Sequence, residues 1–283
     1  MTKSAKELRP SLNLITLLRA DIKSGIAAAA EAGFEFVELW VDPLETYLKN
    51  NSIEDLRKLL DESRMRVSSI GDIESITFCT PAQAAELRGR CAHLAAVARA
   101  LNCPYLVVSG SVKPRGTGSD ALAEEIRLSL GAVLDVVEPE GVGVALAFRG
   151  FSWCSINTLA GAIKAVEYHK ARRAGLVLDT FDLHIVGAEP GIITSLDPAK
   201  IFVMRLSDCG DVPLPLITDT ARLLPGEGKA DLEAMLSAVA SSGFSGAVSL
   251  KVLSPRLLDM SAIEVAGAAM AAAEKYVSNG SLR

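Results

Sequence analysis

The sequence predicts one (β/α)8 TIM barrel over residues 1–283, with residues 1–10 as an N-terminal tail. Three observations lead there. Short apolar runs bounded by loop residues alternate with helical patterns from end to end. Strand followed by helix, eight times in about 250 residues, is the arithmetic of that barrel. No G-x-G-x-x-G loop follows the first run, as it normally would in a doubly wound sheet.

The strand-like runs are Leu12–Leu17, Phe36–Val41, Val67–Ile70, Tyr105–Ser109, Gly143–Phe148, Gly175–Asp179, Ile201–Leu206 and Ala247–Leu253. Such short runs suit parallel strands covered on both faces. Between them, Ile22–Ala32 is alanine-rich and closes with Gly33. Ser52 with Glu54 and Asp55 opens the next helix as a cap and an acidic first turn. Pro81–Leu101 ends near Asn102, before Pro104. Asp120–Glu138, Thr158–His169, a weak Pro198–Lys200, Asp231–Ser242 and Ser261–Val277 complete the helices. Two loops are long, Ser109–Asp120 and Cys209–Gly228. Loops of that length are uncommon unless they serve a function. Both follow strands, so both are expected on the C-terminal face, where barrel active sites are built.

Hydrophobic residues make up 49% of the chain and charged residues 22%, enough for a large core without disulfides. A net charge of −5 gives no electrostatic reason to expect nucleic acid as a partner. The five cysteines are scattered, with no C-x-x-C pair, which points to a reducing cytoplasm. The first residues are polar, so no signal peptide is expected, and no apolar stretch is long enough for a membrane span.

Charges at the ends of buried runs mark the candidate site. Asp179 ends Ala174–Leu178, Arg205 follows Ile201–Met204, and Lys251 follows Ala247–Leu250. A buried charge is costly without a partner, so three on successive strands point to one shared polar site. Arg149 follows the fifth run; Asp182 and His184 lie just past Asp179, and Asp208 just past Arg205. Glu38 lies inside the second strand, and Trp153 follows the fifth in a loop.

With these residues in place, the chain resembles the xylose-isomerase-like sugar isomerases and epimerases, among them the inosose isomerases. The resemblance is carried by Tyr47–Ser52, Ala145–Gly150 with Cys154–Thr158, Gly175–His184, Ile201–Asp208 and Thr218–Asp231. It implies a divalent cation held by a Glu, an Asp, a His and a Glu on strands five to eight. Those places fall here at Ala147, Asp179, Arg205 and Lys251. A further substrate-contacting His falls at Asp182, and Arg222 matches an arginine that reaches substrate. Only Asp179 keeps its ligand chemistry. Arginine and lysine cations have no lone pair for a metal and repel it at close range. No metal or other cofactor is therefore expected.

Two readings stay open for Asp179, Arg205 and Lys251. One is an internal ion-pair cluster filling a retired site. The other is a pocket with Arg205 as a clamp and Lys251 as point charge, acid/base or Schiff-base group, serving either a metal-free isomerase or epimerase of a keto-polyol or sugar acid, or a non-catalytic binder of a sugar, polyol, small anion or protein partner. In the second reading Arg149, Asp182, His184, Arg222, Asp208, Glu38 and Trp153 contact or orient the substrate. Asp179 is expected to pair with Lys251 or Arg205. A homodimer is compatible with the family.

Overall fold

The computed structural model describes residues 8–278 and 281–282. Eight parallel strands close into a barrel: β1 (Leu8–Asn13), β2 (Phe36–Trp40), β3 (Arg66–Ile73), β4 (Tyr105–Ser109), β5 (Gly143–Ala147), β6 (Ala174–Asp179), β7 (Ile201–Leu206) and β8 (Gly246–Leu250). Each strand pairs with its sequence neighbours, and β1 closes the ring on β8. Among the described residues, ten α-helices connect and surround them: α1 (Ile22–Glu31), α2 (Val41–Leu48), α3 (Ile53–Glu62), α4 (Pro81–Ala100), α5 (Ser119–Val137), α6 (Leu159–Tyr168), α7 (Thr180–Ile185), α8 (Pro190–Thr194), α9 (Leu232–Ser242) and α10 (Ala262–Glu274). Capping boxes at Ser52, Thr80 and Ser261 fix the starts of α3, α4 and α10.

The first strand lies upstream of its expected place. Of the tail expected over residues 1–10, residues 1–7 fall outside the described residues, and Leu8–Pro10 begin β1. The run Leu14–Leu17 is a 3-10 turn, because the Asn13 side chain accepts the Ile15 N–H and caps it. Pro198–Lys200 is likewise a 3-10 turn, and α2, α7 and α8 were not anticipated.

Alternation along the strands divides the interior in two. Leu8, Leu12, Val37, Leu39, Ile70, Val248 and Leu250 join the main core. The barrel lumen is apolar on one side, where Val107, Ala145, Ala147, Val177 and Val203 form their own buried cluster. On the other side it is polar, with Ser11, Glu38, Ser69 and Ser249 all buried. Phe202 closes the lower apolar half, stacked on Tyr105 with ring centroids 4.4 Å apart. It lies against Gly143 and Gly175, and a Cβ on Gly175 would overlap its ring. Gly175→Ala is therefore expected to cost about 1–3 kcal/mol by overpacking, read as a lower urea midpoint.

Candidate active site at the barrel mouth

The strand ends bring Asp179, Arg205 and Lys251 to one mouth, together with partners from β2, β3 and the loops. The observed pairing differs from the expected one. Asp179 makes no ion pair with Arg205 or Lys251; its partner is Arg222, whose Nη1 donates to Asp179 Oδ1 at 2.7 Å. Arg205 and Asp179 are register neighbours on β7 and β6. The long Arg205 side chain instead crosses the lumen. Its Nε donates to Glu38 Oε1 at 3.1 Å and its Nη1 to Asp72 Oδ2 at 3.2 Å, while Nη2 donates to both carboxylates. Two planar carboxylates match the guanidinium fork better than one neighbour could. Lys251 Nζ donates to the same Asp72 Oδ2 at 3.1 Å. Ser249 Oγ completes Glu38 from below at 2.6 Å.

Arg222 anchors a second cluster. Besides Asp179, its Nη2 donates to Asp182 Oδ2 at 3.1 Å and its Nε to Asp219 Oδ1 at 2.9 Å. Its guanidinium lies 4.2 Å over the Phe181 ring. Asp219 also pairs with Arg149, and Glu74 lies 3.6 Å from Arg149. The Asp182 carboxylate accepts the Gly150 N–H at 2.8 Å, tying the loop after β5 to α7.

Burial and charge act in opposite directions on these groups. Burial pushes the Asp72 carboxyl up, but the Arg205 and Lys251 charges override it and hold it far below the usual range. Burial likewise opposes, and Arg222 and Lys251 outweigh that opposition, to lower Asp179. Asp219 is held at about 2, where burial is overcome by Arg222 and Arg149. Asp182 is raised, by burial and then by the neighbouring Asp179 charge. Lys251 is lowered, by burial and then by Arg205.

A cavity of about 220 Å³ opens at this mouth, lined by Asp72, Lys251, Arg149, Asp219, Glu74 and Trp40 among others. A larger depression of about 1040 Å³ lies at the opposite end, among strand starts such as Phe36, Arg66 and Phe202. Barrel enzymes work at the C-terminal face, and the charged strand ends lie there, so the smaller cavity is the candidate site. Arg205, at 1% exposure, and Arg222, at 0%, do not line it. Glu38, Asp179 and Asp182 are buried beneath it. Asp208 serves the following loop: its carboxylate accepts the backbone N–H groups of Gly226, Gly228 and Ala230 at 2.9–3.0 Å. His184 is half-buried in the last turn of α7 and lies outside the cavity lining. Trp153 is 49% exposed and stacks on Phe151, while Trp40 takes the place of aromatic wall.

Asp72, Asp219 and Trp40 were missed in the sequence. Asp72 sits in Ile70-Gly71-Asp72-Ile73, where β3 changes register, so its direction could not be read from alternation. A polar residue flanked by buried apolar ones was the available signal. Among the described residues, no group of three or more His, Cys, Asp or Glu is placed to hold a metal ion. No helix among them is long and apolar enough to cross a membrane.

The model of the xylose isomerase-like TIM barrel matches residues 26–276. The chain belongs to that family. Inosose isomerase of Halalkalibacterium halodurans is 30% identical over 254 residues, covering 88% of this chain and 89% of that one. Inosose isomerase of Bacillus velezensis is 29% identical over 268 residues, with 93% and 94% covered. The 3-dehydroshikimate dehydratase of Pseudomonas aeruginosa is 24% identical over 83% of this chain and 36% of its own length. Among solved structures, the IolI protein with a bound zinc atom superimposes with a TM-score of 0.91 at 26% identity, covering 97% and 99% of the two chains. As a member of the xylose isomerase-like family, the chain shares its barrel, and inosose isomerases are among its relatives.

Proposed function

We propose that this chain is a metal-independent isomerase or epimerase of a neutral keto-polyol, bound in the mouth cavity. The observation that carries this reading is the Asp72 carboxylate held between the Arg205 guanidinium and the Lys251 ammonium. By resemblance, two of the family's ligand places fall at these cations, and a third falls at Ala147. The donor set does not fit a divalent ion: the neighbouring groups are cations without lone pairs, and Ala147 offers no donor. Asp179 does keep one buried oxygen, Oδ2, without a protein partner. A single carboxylate oxygen among guanidinium and ammonium groups is a weak metal site and a serviceable contact for a buried water.

The lining favours a neutral ligand. Asp42, Asp72, Glu74 and Asp219 face Arg90, Arg149 and Lys251, and each of these cations already pairs with a carboxylate. Mixed, paired charges suit hydroxyl groups, which both donate and accept, better than an added anion. Trp40 and Leu253 offer apolar surface to a ring's C–H face. Moving a carbonyl along a polyol requires loss of a proton beside it, and Lys251 supplies positive charge for the carbonyl oxygen.

The test is turnover and calorimetric titration of inosose with the purified chain after exhaustive chelation. Binding and turnover that survive chelation are expected. Activity lost on chelation and restored by zinc or manganese would overturn the metal-independent reading. No binding at millimolar inosose would overturn the substrate class. A second reading, ligand binding without chemistry, is supported by the extent to which Arg205 and Arg222 are engaged by the chain's own carboxylates; inosose bound but unchanged decides for it.

A further inference from the structure

We propose that Lys251 captures the ketone covalently, forming an imine at Nζ. This inference rests on the keto-polyol reading above and adds how the carbonyl is activated. Hydrogen-bond accounting singles out this lysine. Arg205 directs Nε, Nη1 and Nη2 at Glu38 and Asp72, and Arg222 directs Nε, Nη1 and Nη2 at Asp219, Asp179 and Asp182. Neither lines the cavity. Lys251 lines it at 4% exposure, and its Nζ has one hydrogen-bond partner among the described residues, Asp72. Two of the three positions on its nitrogen are thus uncommitted at the floor of the mouth.

The surroundings favour covalent capture over simple polarisation. Burial and the Arg205 charge lower the proton affinity of Lys251, which raises the share of free amine. Asp72 is a permanent counterion for either form of the nitrogen, since an iminium carries the same charge as the ammonium it replaces. The cluster that balances the resting lysine therefore balances the intermediate. Ile15, Trp40 and Leu253 narrow the mouth with apolar surface and limit the water that would hydrolyse the adduct.

In the step proposed, the free Nζ amine adds to the carbonyl carbon and the C=O electron pair moves to oxygen. The oxygen takes up two protons, in net the two released from the amine, and leaves as water. A C=N bond remains; its protonation acidifies the adjacent C–H. No oxidant or reductant is needed.

Borohydride trapping tests it. The full-length chain is incubated with inosose, reduced, and analysed by intact mass and peptide mapping. The expected gain is the mass of inosose less one oxygen atom, located on Lys251. Lys251→Arg, which keeps the charge beside Asp72, should lose the adduct completely while still binding inosose by calorimetry. Mapping of the native chain keeps the test independent of variant folding. Inosose bound without an adduct at Lys251 overturns the imine and leaves the keto-polyol reading standing. Adducts confined to exposed lysines such as Lys58 and Lys229 overturn it equally. Neither binding nor adduct overturns both.

Discussion

Arg205→Met should destabilise the chain by about 3–5 kcal/mol, read as a lower urea midpoint at pH 7. The substitution keeps much of the apolar stem and removes the guanidinium. Glu38, which is 0% exposed, then keeps only the Ser249 hydroxyl, and Asp72 keeps only Lys251. A buried carboxylate without its cation carries most of the desolvation penalty. The double variant Glu38→Leu/Arg205→Met should recover part of the loss, because it removes one stranded charge with its partner. Lys251→Met should cost less than Arg205→Met, since Asp72 retains Arg205. A loss below about 1 kcal/mol for Arg205→Met would mean that water, rather than the guanidinium, stabilises these carboxylates.

Arg222→Met should have a comparable effect, about 3–5 kcal/mol at pH 7, with an inverted pH dependence. In the native chain Asp179 is lowered and Asp219 lies at about 2, both through Arg222 against the opposing effect of burial. Their stabilising contribution is therefore present above the ordinary carboxylate pKa, about 4, and is lost as pH falls through the folded values. Without the guanidinium, burial dominates at Asp179, whose folded pKa rises above the unfolded one, while Asp219 keeps Arg149. The Asp179 contribution is then present below about pH 4 and lost as pH rises. Asp182, already raised by burial and by Asp179, moves further in the same direction. Urea midpoints at several pH values between 4 and 7 should show the gap between native and variant chains widening with pH. A gap that stays constant would assign the loss to packing over Phe181 rather than to charge.

The contrast between legible strand ends and illegible partners has a physical origin. A charge terminating an apolar run stands out because its burial demands compensation, and Asp179, Arg205 and Lys251 were found that way. Their partners depend on which side chains meet across the lumen. Arg205 and Glu38 are 167 residues apart, and Arg222 reaches Asp179 from a two-residue strand beyond the barrel. Register neighbours seemed the natural pair, yet a long guanidinium spans to wherever two carboxylates converge. The misplaced β1 has a related cause. Pro10 lacks a ladder donor and Arg9 is charged, both uncommon in a barrel strand, while Leu14–Leu17 is continuously apolar. In the barrel Arg9 borders the lower depression, and Leu8 and Leu12 supply the apolar face. The Asp208 carboxylate was visible, but its use as an acceptor for three loop amides required the path of residues 225–230.

Asp219 joins two roles in one side chain, as part of the cavity wall and as an ionic tie that holds the 209–228 loop to Arg149. Passage of a ligand through the mouth is therefore expected to couple to movement of that loop. An ion pair with one partner 29% exposed weakens as salt rises. Ionic strength should then act on the speed of exchange between bound and free ligand more than on the depth of the bound well. The mouth would behave as a gate whose outer latch is the Asp219–Arg149 pair, while buried Arg222 keeps the loop anchored on Asp179 and Asp182.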